Sequence, residues 1–509
     1  MPHCKICPRS FAKSTTIFAY AKTSYEWLRR EFSRKLAEIL KIRRYFSRIA
    51  FFATQYEGAG GGSEALIPLV NRPGGAFYRG QAVPAPGTSL RIFTKLPVRG
   101  RILALMTLGS LLVGLDRAAL VPAVEGLRDA LHVPSPALDI AFSAYGFGFF
   151  LALALAGLVI ERAGPSRVLI GCGLLAALAM VATMATFHVI SLALSRLALG
   201  IAAGGLLPAA TVLLAQWIPQ HDRGTALGLL HGAYWLGPLF AGGLVGAAEV
   251  AGSWRAAFVV LAALGGVWSV AWLQMGSVRL PPPERLPIYW PGHARRFLLP
   301  FFLAFAQSWA IALVLQWVPA YQLETWHLDV TGSPLLALVT IVAAAGGVLG
   351  GGFASDWVLR DSGNIRPARQ LLPGIGFLGA AVGLFAMPGH HELQTIVLSS
   401  GVTLFFLALT TAPLWSLPLD IGTAHPAIGT MFVGLGAALA QGLGPLGLVQ
   451  LSGAWWLGPT LGLPLLVAAS VAAFQLRPDL GIPDPPPPAA EPEEGTAAAA
   501  AGKKPAKKH

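Results

Sequence analysis

The sequence predicts an all-α membrane protein whose twelve transmembrane helices form two pseudo-symmetric six-helix bundles. Three independent observations lead there. Apolar segments of about 20 residues, the length a hydrocarbon core requires, recur in two groups of six. Lys and Arg collect in alternate loops. A turn between two apolar stretches, Gly157-Leu-Val-Ile-Glu161-Arg162-Ala-Gly164-Pro-Ser-Arg167, has a weaker echo 195 positions later at Gly352-Phe-Ala-Ser-Asp356-Trp-Val-Leu-Arg360. Internal duplication leaves such echoes in transporters.

Composition sets the solvent. With 54% hydrophobic residues, 12% charged residues and a mean hydropathy of +0.61, the 509-residue chain carries more apolar side chains than a soluble interior could hide. The formal charge of +13 belongs to one end: residues 1–101 hold 18 Lys and Arg against 5 Glu, and the remainder balances 19 against 19. The excess therefore gives no nucleic-acid surface to the membrane part. Cys4, Cys7 and Cys172 provide neither a disulfide framework nor a four-ligand zinc set. No G-x-x-x-x-G-K-[ST] loop occurs and His390-His391-Glu392 is a short loop run, so ATP-driven pumping, metal catalysis and a bound cofactor find no support.

Along the chain, residues 1–100 form a basic extension and linker. Trp27, Leu28, Phe32, Leu36 and Leu40 fall at helical spacing among basic residues over 24–53. Three readings stay open: an amphipathic helix on an anionic lipid surface, an organelle transit peptide, which Glu26, Glu31 and Glu38 argue against, or a true start further downstream. Spans of the first bundle, within 101–278, are expected near 102–124, 137–160, 168–189, 191–217, 226–248 and 255–276. A polar, proline-rich connector follows over 279–296. The second bundle, 297–477, has spans near 297–320, 334–357, 370–388, 393–417, 427–450 and 455–475, and 478–509 reads as a disordered tail.

Loop charge supplies the orientation. If the start is cytoplasmic, inner loops carry Arg162, Arg167, Arg223, Arg279, Arg285, Arg295, Arg296, Arg360, Arg366 and Arg369, against Arg128 and Arg255 outside. Twelve spans then place both termini in the cytoplasm. The Ala-, Pro- and Lys-rich tail points to a bacterial inner membrane.

These residues resemble the major facilitator superfamily over about Arg101 to Arg477. The resemblance rests on Gly157, Glu161, Arg162, Gly164 and Arg167 after the second span; Pro208, Trp217 and Arg223 around the fourth; and Ser253-Trp254-Arg255-Ala-Ala-Phe258 before the sixth. Trp317-Val-Pro319-Ala-Tyr321 in the seventh and Gly352, Asp356 and Arg360 after the eighth complete it. It implies a transporter, not an enzyme, with the loop motif as a cytoplasmic gate. Physically, Gly157 permits close helix approach, and Glu161 can pair with an arginine or a neighbouring helix N-terminus. Plain positive-inside anchoring is the alternative.

Ionisable groups within spans cost roughly 2.5–3.5 kcal/mol even on the lenient insertion scale, so those retained are functional candidates. Asp116 and Arg117, about seven residues from the expected outer end of the first span, and Arg196, about six from that of the fourth, fall in one layer. This set resembles the organic-anion symporter branch. It implies Arg196 first and Arg117 second as guanidinium ligands of a carboxylate or phosphate, and Asp116 as a proton carrier or charge partner. A structural Asp116–Arg196 or Asp116–Arg117 pair is the competing interpretation. The branch usually has an acid where Ala203 stands, and a tyrosine and glutamine where Phe149 and Leu153 stand. His231 is a replacement proton carrier or a packing residue. Gly237-Pro238, echoed by Gly444-Pro445, resembles an antiporter signature with shifted spacing, and Gln307, Trp309, Gln316 and Gln441 are polar or stacking candidates in the second half.

The expected function is secondary transport of a small organic anion by alternating access, with a proton or other ion as the coupling partner, by a monomer in contact with lipid. Proton-driven efflux of amphipathic compounds is the second possibility. A sensor or enzyme on the same scaffold is the third.

Overall fold

The computed structural model describes residues 98–133, 135–275, 288, 290–328, 333–387, 392–421, 425–450 and 457–481. Among these residues every regular element is helical. The first group comprises α1 (Val98–Ala118), short α2 (Val124–Leu131), α3 (Ser135–Ala163), α4 (Pro165–Met184), α5 (Val189–Trp217), α6 (Arg223–Val250) and α7 (Arg255–Met275). The second comprises α8 (Trp290–Ala312), running through a π-helical turn (Leu313–Trp317) into α9 (Val318–Trp326), then α10 (Pro334–Ser362) and α11 (Ile365–Ala386). α12 (Leu393–Leu409), α13 (Thr411–Ile421), α14 (Pro426–Gln450) and α15 (Leu457–Ala473) end it.

Among the described residues ten helical stretches are long and apolar enough to cross a membrane; Gly292–Trp326 and Leu393–Ile421 each count as one despite their interruptions. α6 is not among the ten, because glycines, His231 and Pro238 dilute its apolar character, and α15 is represented by a shorter apolar helix, Leu461–Ala473. Proline accounts for the interruptions. It removes a main-chain donor and crowds the turn before it, and Pro319 follows the π turn while Pro413 follows the break at Thr410.

Two expectations need correction. The first span ends at Ala118, not near residue 124, because Pro122 breaks it and the chain turns into α2. Asp116 and Arg117 therefore occupy the last turn of α1. Arg369 is no loop residue: it lies in α11 with its side chain fully buried. The basic extension with Cys4 and Cys7, residues 279–287 of the connector, His390, His391 and the tail beyond 481 lie outside the described residues.

Packing follows chain order with two exceptions that matter. Within the first group α3 lies on α5, α1 on α6, and α4 between α5 and α7; within the second α8 lies on α14, α10 on α12, and α11 on both α12 and α15. The exceptions cross between groups: α6 packs along α10 and α3 along α14. One apolar core is built wholly from the second group, including Phe297, Trp317 and Phe377. Another joins Leu206, Leu213, Leu227 and Trp268 of the first group to Ala412, Trp415, Leu419 and Val433 of the second.

The cross-group seams gather toward the end holding the arginine-bearing turns, called the basic end below. Glycine makes them close. A Cβ on Gly352 would lie 2.2 Å from the Gly224 carbonyl oxygen, and one on Gly157 would lie 2.9 Å from that of Ala427. Small residues let backbones meet, so dispersion acts over the whole contact without side chains between. Gly352→Val should part α6 from α10 and lower the melting temperature of the purified protein, an overpacking cost of about 1–3 kcal/mol. Gly171→Ala, which meets nothing within 4 Å, should leave melting unchanged.

Candidate functional site

Two charged layers are separated along the helices. At the end opposite the basic one, α1, α3, α5 and α6 bring together Asp116, Arg117, Arg196, Tyr145 and Tyr234. Backbone proximity positions them. A Cβ on Gly114 would sit 2.1 Å from the Tyr234 carbonyl oxygen, and one on Gly200 would sit 2.2 Å from that of Tyr145. Only glycine at these crossings allows α1 to reach α6 and α5 to reach α3 so closely.

The two arginines have different surroundings. Arg196 is 1% exposed. Its Nη2 donates to Thr183 Oγ1 at 2.6 Å, its Nη1 to the main-chain carbonyl of Asp116 at 3.4 Å, and its guanidinium lies 5.5 Å from the Phe258 ring centroid. These partners come from α4, α1 and α7, so Arg196 ties the first group together. Asp116 is buried too, and its Oδ1 meets no donor. The carboxylate and the Arg196 guanidinium are thus neighbours through a main-chain carbonyl, not a closed ion pair.

Arg117 is exposed. It donates to the Tyr234 hydroxyl and lies 5.8 Å and 5.9 Å from the Tyr234 and Tyr145 ring centroids. Tyr145 stacks on Phe149, with centroids 6.1 Å apart, and its buried hydroxyl makes no hydrogen bond. A guanidinium and two phenol groups form a ready receptor for an anion, because aromatic faces hold the cation in place and leave its remaining donors free. Leu153 does not face this receptor: it is 2% exposed and packs against Gly434 at the seam.

His231 lies deeper on α6 and is 5% exposed. Its ring is 4.8 Å from that of Trp415 across the groups, and its Nε2 has no hydrogen-bond partner. Gln307 is already engaged, donating to the Leu407 carbonyl at 2.9 Å and to Thr411 Oγ1 at 2.7 Å, which steadies the break before α13. Trp309 stacks on Phe305, while Gln316 and Gln441 are exposed.

At the basic end the turn-motif residues split into two contacts. Glu161 Oε2 meets His425 Nδ1 at 3.3 Å, one helical turn beyond the Gly157 crossing. Gly164, at φ +83°, supplies the left-handed turn before Pro165 opens α4, and Arg162 and Arg167 are exposed. In the echo, Asp356 accepts from the main-chain N–H groups of Gly224 at 2.9 Å and Thr225 at 2.6 Å. A carboxylate there satisfies orphan donors of the α6 N-terminus and complements its dipole. Arg360 pairs with Asp222.

A buried cluster that the sequence reading missed supports that contact. Arg369 Nε lies 2.9 Å from Asp420 Oδ2, its Nη1 donates to Ser355 Oγ at 2.6 Å, and Asp420 Oδ1 lies 3.5 Å from Arg223 Nη1. Asp420 had a legible signal, a carboxylate ending an apolar run beside Pro418. Tyr145 stands one helical turn before Phe149, so a search along that face would have found it. Thr183 gives no such signal, because a lone threonine in an apolar helix is ordinary.

The profile of the Major Facilitator Superfamily matches residues 106–445. The chain belongs to the Major Facilitator Superfamily. It is therefore a membrane transporter and not an enzyme. It is 29% identical over 420 residues to the probable sulfoacetate transporter SauU of Cupriavidus necator, covering 77% of this chain and 96% of that protein. It is 25% identical over 344 residues to the hexuronate transporter of Bacillus subtilis, covering 64% of this chain and 80% of that protein. The proton:xylose symporter XylE shares its fold at a TM-score of 0.58 and 17% identity, covering 74% of this transporter and 94% of XylE.

Breaking a buried ion pair by removing one partner strands the other, at about 3–5 kcal/mol. Asp420→Asn and Arg369→Gln in this transporter should each lower the melting temperature in detergent. The double variant should fall by less than the sum of the two, as measured in a double-mutant cycle.

Proposed function

We propose that this transporter moves a small organic anion by alternating access between two six-helix halves, with twelve spans and both termini in the cytoplasm. The first half comprises α1 and α3–α7; the second comprises α8–α9, α10, α11, α12–α13, α14 and α15. The basic end is the cytoplasmic face in this reading, by the loop arginines. The seams clustered there then correspond to an outward-facing state with the inner gate shut.

The observation that carries the proposal is the exposed Arg117 held against Tyr145 and Tyr234. Arg117 takes the role of anion ligand. Arg196 becomes the buried residue that holds α1, α4 and α7 in register, which reverses the order the family resemblance implies. Asp116 is the proton-coupling group, since its buried carboxylate Oδ1 meets no donor and its main chain is the one Arg196 reaches. His231, packed on Trp415 at a cross-half contact, is a reserve coupling group. Glu161, Arg162, Gly157, Gly164 and Arg167, with Gly352, Asp356 and Arg360, form the gate.

Phe149 beside the receptor, with Leu153 turned into the seam, leaves few groups to recognise hydroxyls. That favours a short sulfonate or carboxylate with little other functionality over a polyhydroxylated sugar acid. The relatives named for sulfoacetate and hexuronate carry anions of both kinds.

Proteoliposomes assayed with a panel of sulfonates, short carboxylates and hexuronates, under inward and outward proton gradients, test this directly. Arg117→Ala should abolish uptake and binding with an unchanged melting temperature, and Arg117→Lys should restore little, because an ammonium lacks the planar fork. Arg196→Ala should lower the melting temperature. Full uptake of every anion by Arg117→Ala would remove the site assignment. Extrusion of amphipathic cations with no anion uptake would select efflux instead.

A further inference from the structure

The Glu161–His425 contact contains a titratable group that gate closure alone does not require. Glu161, at the C-terminal turn of α3, has 17% of its side chain exposed, and His425, immediately before α14, has 6%. The pair lies at the rim of the α3–α14 seam, which the Gly157–Ala427 crossing closes. His425 also faces His293 of α8, at 5.7 Å between ring centroids. We propose that Glu161 and His425 form a proton-sensitive clasp, so that acidification at the basic end holds that end closed.

The chemistry runs in one direction. An imidazole gains its charge in the range pH 5–8. A protonated His425 meets the Glu161 carboxylate only while the seam is shut, whereas a neutral one offers a weaker, uncharged hydrogen bond. Proton binding and closure therefore favour each other, as linked equilibria must.

Neighbouring charges do not cancel the effect. α3 adds Arg162, exposed beside Glu161, and α4 adds Arg167, also exposed. On α8 stand His293, Arg295 and Arg296; on α13 Asp420 is held by Arg369 and Arg223. α14 has no ionisable side chain. Among the described residues Glu161 is thus the carboxylate to which His425 answers.

Spin labels at Ala163→Cys and Ser362→Cys, in a background lacking the native cysteines, would report the separation of the two halves at the basic end in nanodiscs. From pH 7.5 to 5.5 the closed-to-open ratio should rise about three- to tenfold, the range of a partly exposed to partly buried charge pair. His425→Gln, which keeps a hydrogen bond but cannot titrate, should retain closure near the pH 7.5 level and lose the response. Glu161→Gln should flatten it as well. A wild-type response that persists in both variants, or no response in the wild type, would overturn the clasp. Retention of the monodisperse elution profile by either variant makes the reading valid, and neither result depends on the identity of the transported anion.

Discussion

The structure depends on answering charge in a medium that does not solvate it. At the basic end Asp420 is the hinge of that requirement: Arg369 satisfies it from α11, Arg223 reaches it from the start of α6, and Ser355 of α10 takes up a remaining donor of Arg369. Asp356, close by, is served by two main-chain N–H groups at the α6 N-terminus, with Arg369 Nη1 a further 3.9 Å counter-charge. Fixed dipoles and two guanidinium groups thus bind three helices of one group to one helix of the other. The same contacts would leave buried charges stranded on separation.

The opposite layer shows how burial divides labour between similar residues. Arg117 and Arg196 are both arginines in apolar helices; Arg117 follows Asp116 in the chain and Arg196 reaches its main-chain carbonyl. Arg196 has its donors directed to Thr183 and the Asp116 carbonyl, with Phe258 over its plane. Arg117 leans on phenol rings and is exposed. Arg196 is held by partners from three helices, although its Nε has none, and so acts as a structural tie; Arg117, exposed, is the one proposed to meet an anion.

Much of this was legible in the sequence, and the losses have physical reasons. Apolar length and loop charge identified a helical membrane protein, and Gly157 in the turn motif marked a close helix approach, whereas Gly352 entered only as an echo of that motif. Distance from the span ends put Asp116, Arg117 and Arg196 in one layer but not which arginine is buried, since that depends on α4 and α7, far away in the chain. The first span was drawn six residues too long because hydropathy runs through Pro122 while the backbone does not. Arg369 was read as a loop residue because an arginine near a span end has two homes, water or a buried partner, and the partner, Asp420, lies 51 positions away.

The glycine crossings carry a consequence for motion. Where Gly224 meets Gly352, backbone touches backbone, and no side chain must choose a rotamer before the surfaces can fit again. Such a contact has no memory of how it was last parted. In the proposed alternating-access cycle it could be unmade and remade with the same relief on both faces, so that timing would fall to the charges around it rather than to repacking within it.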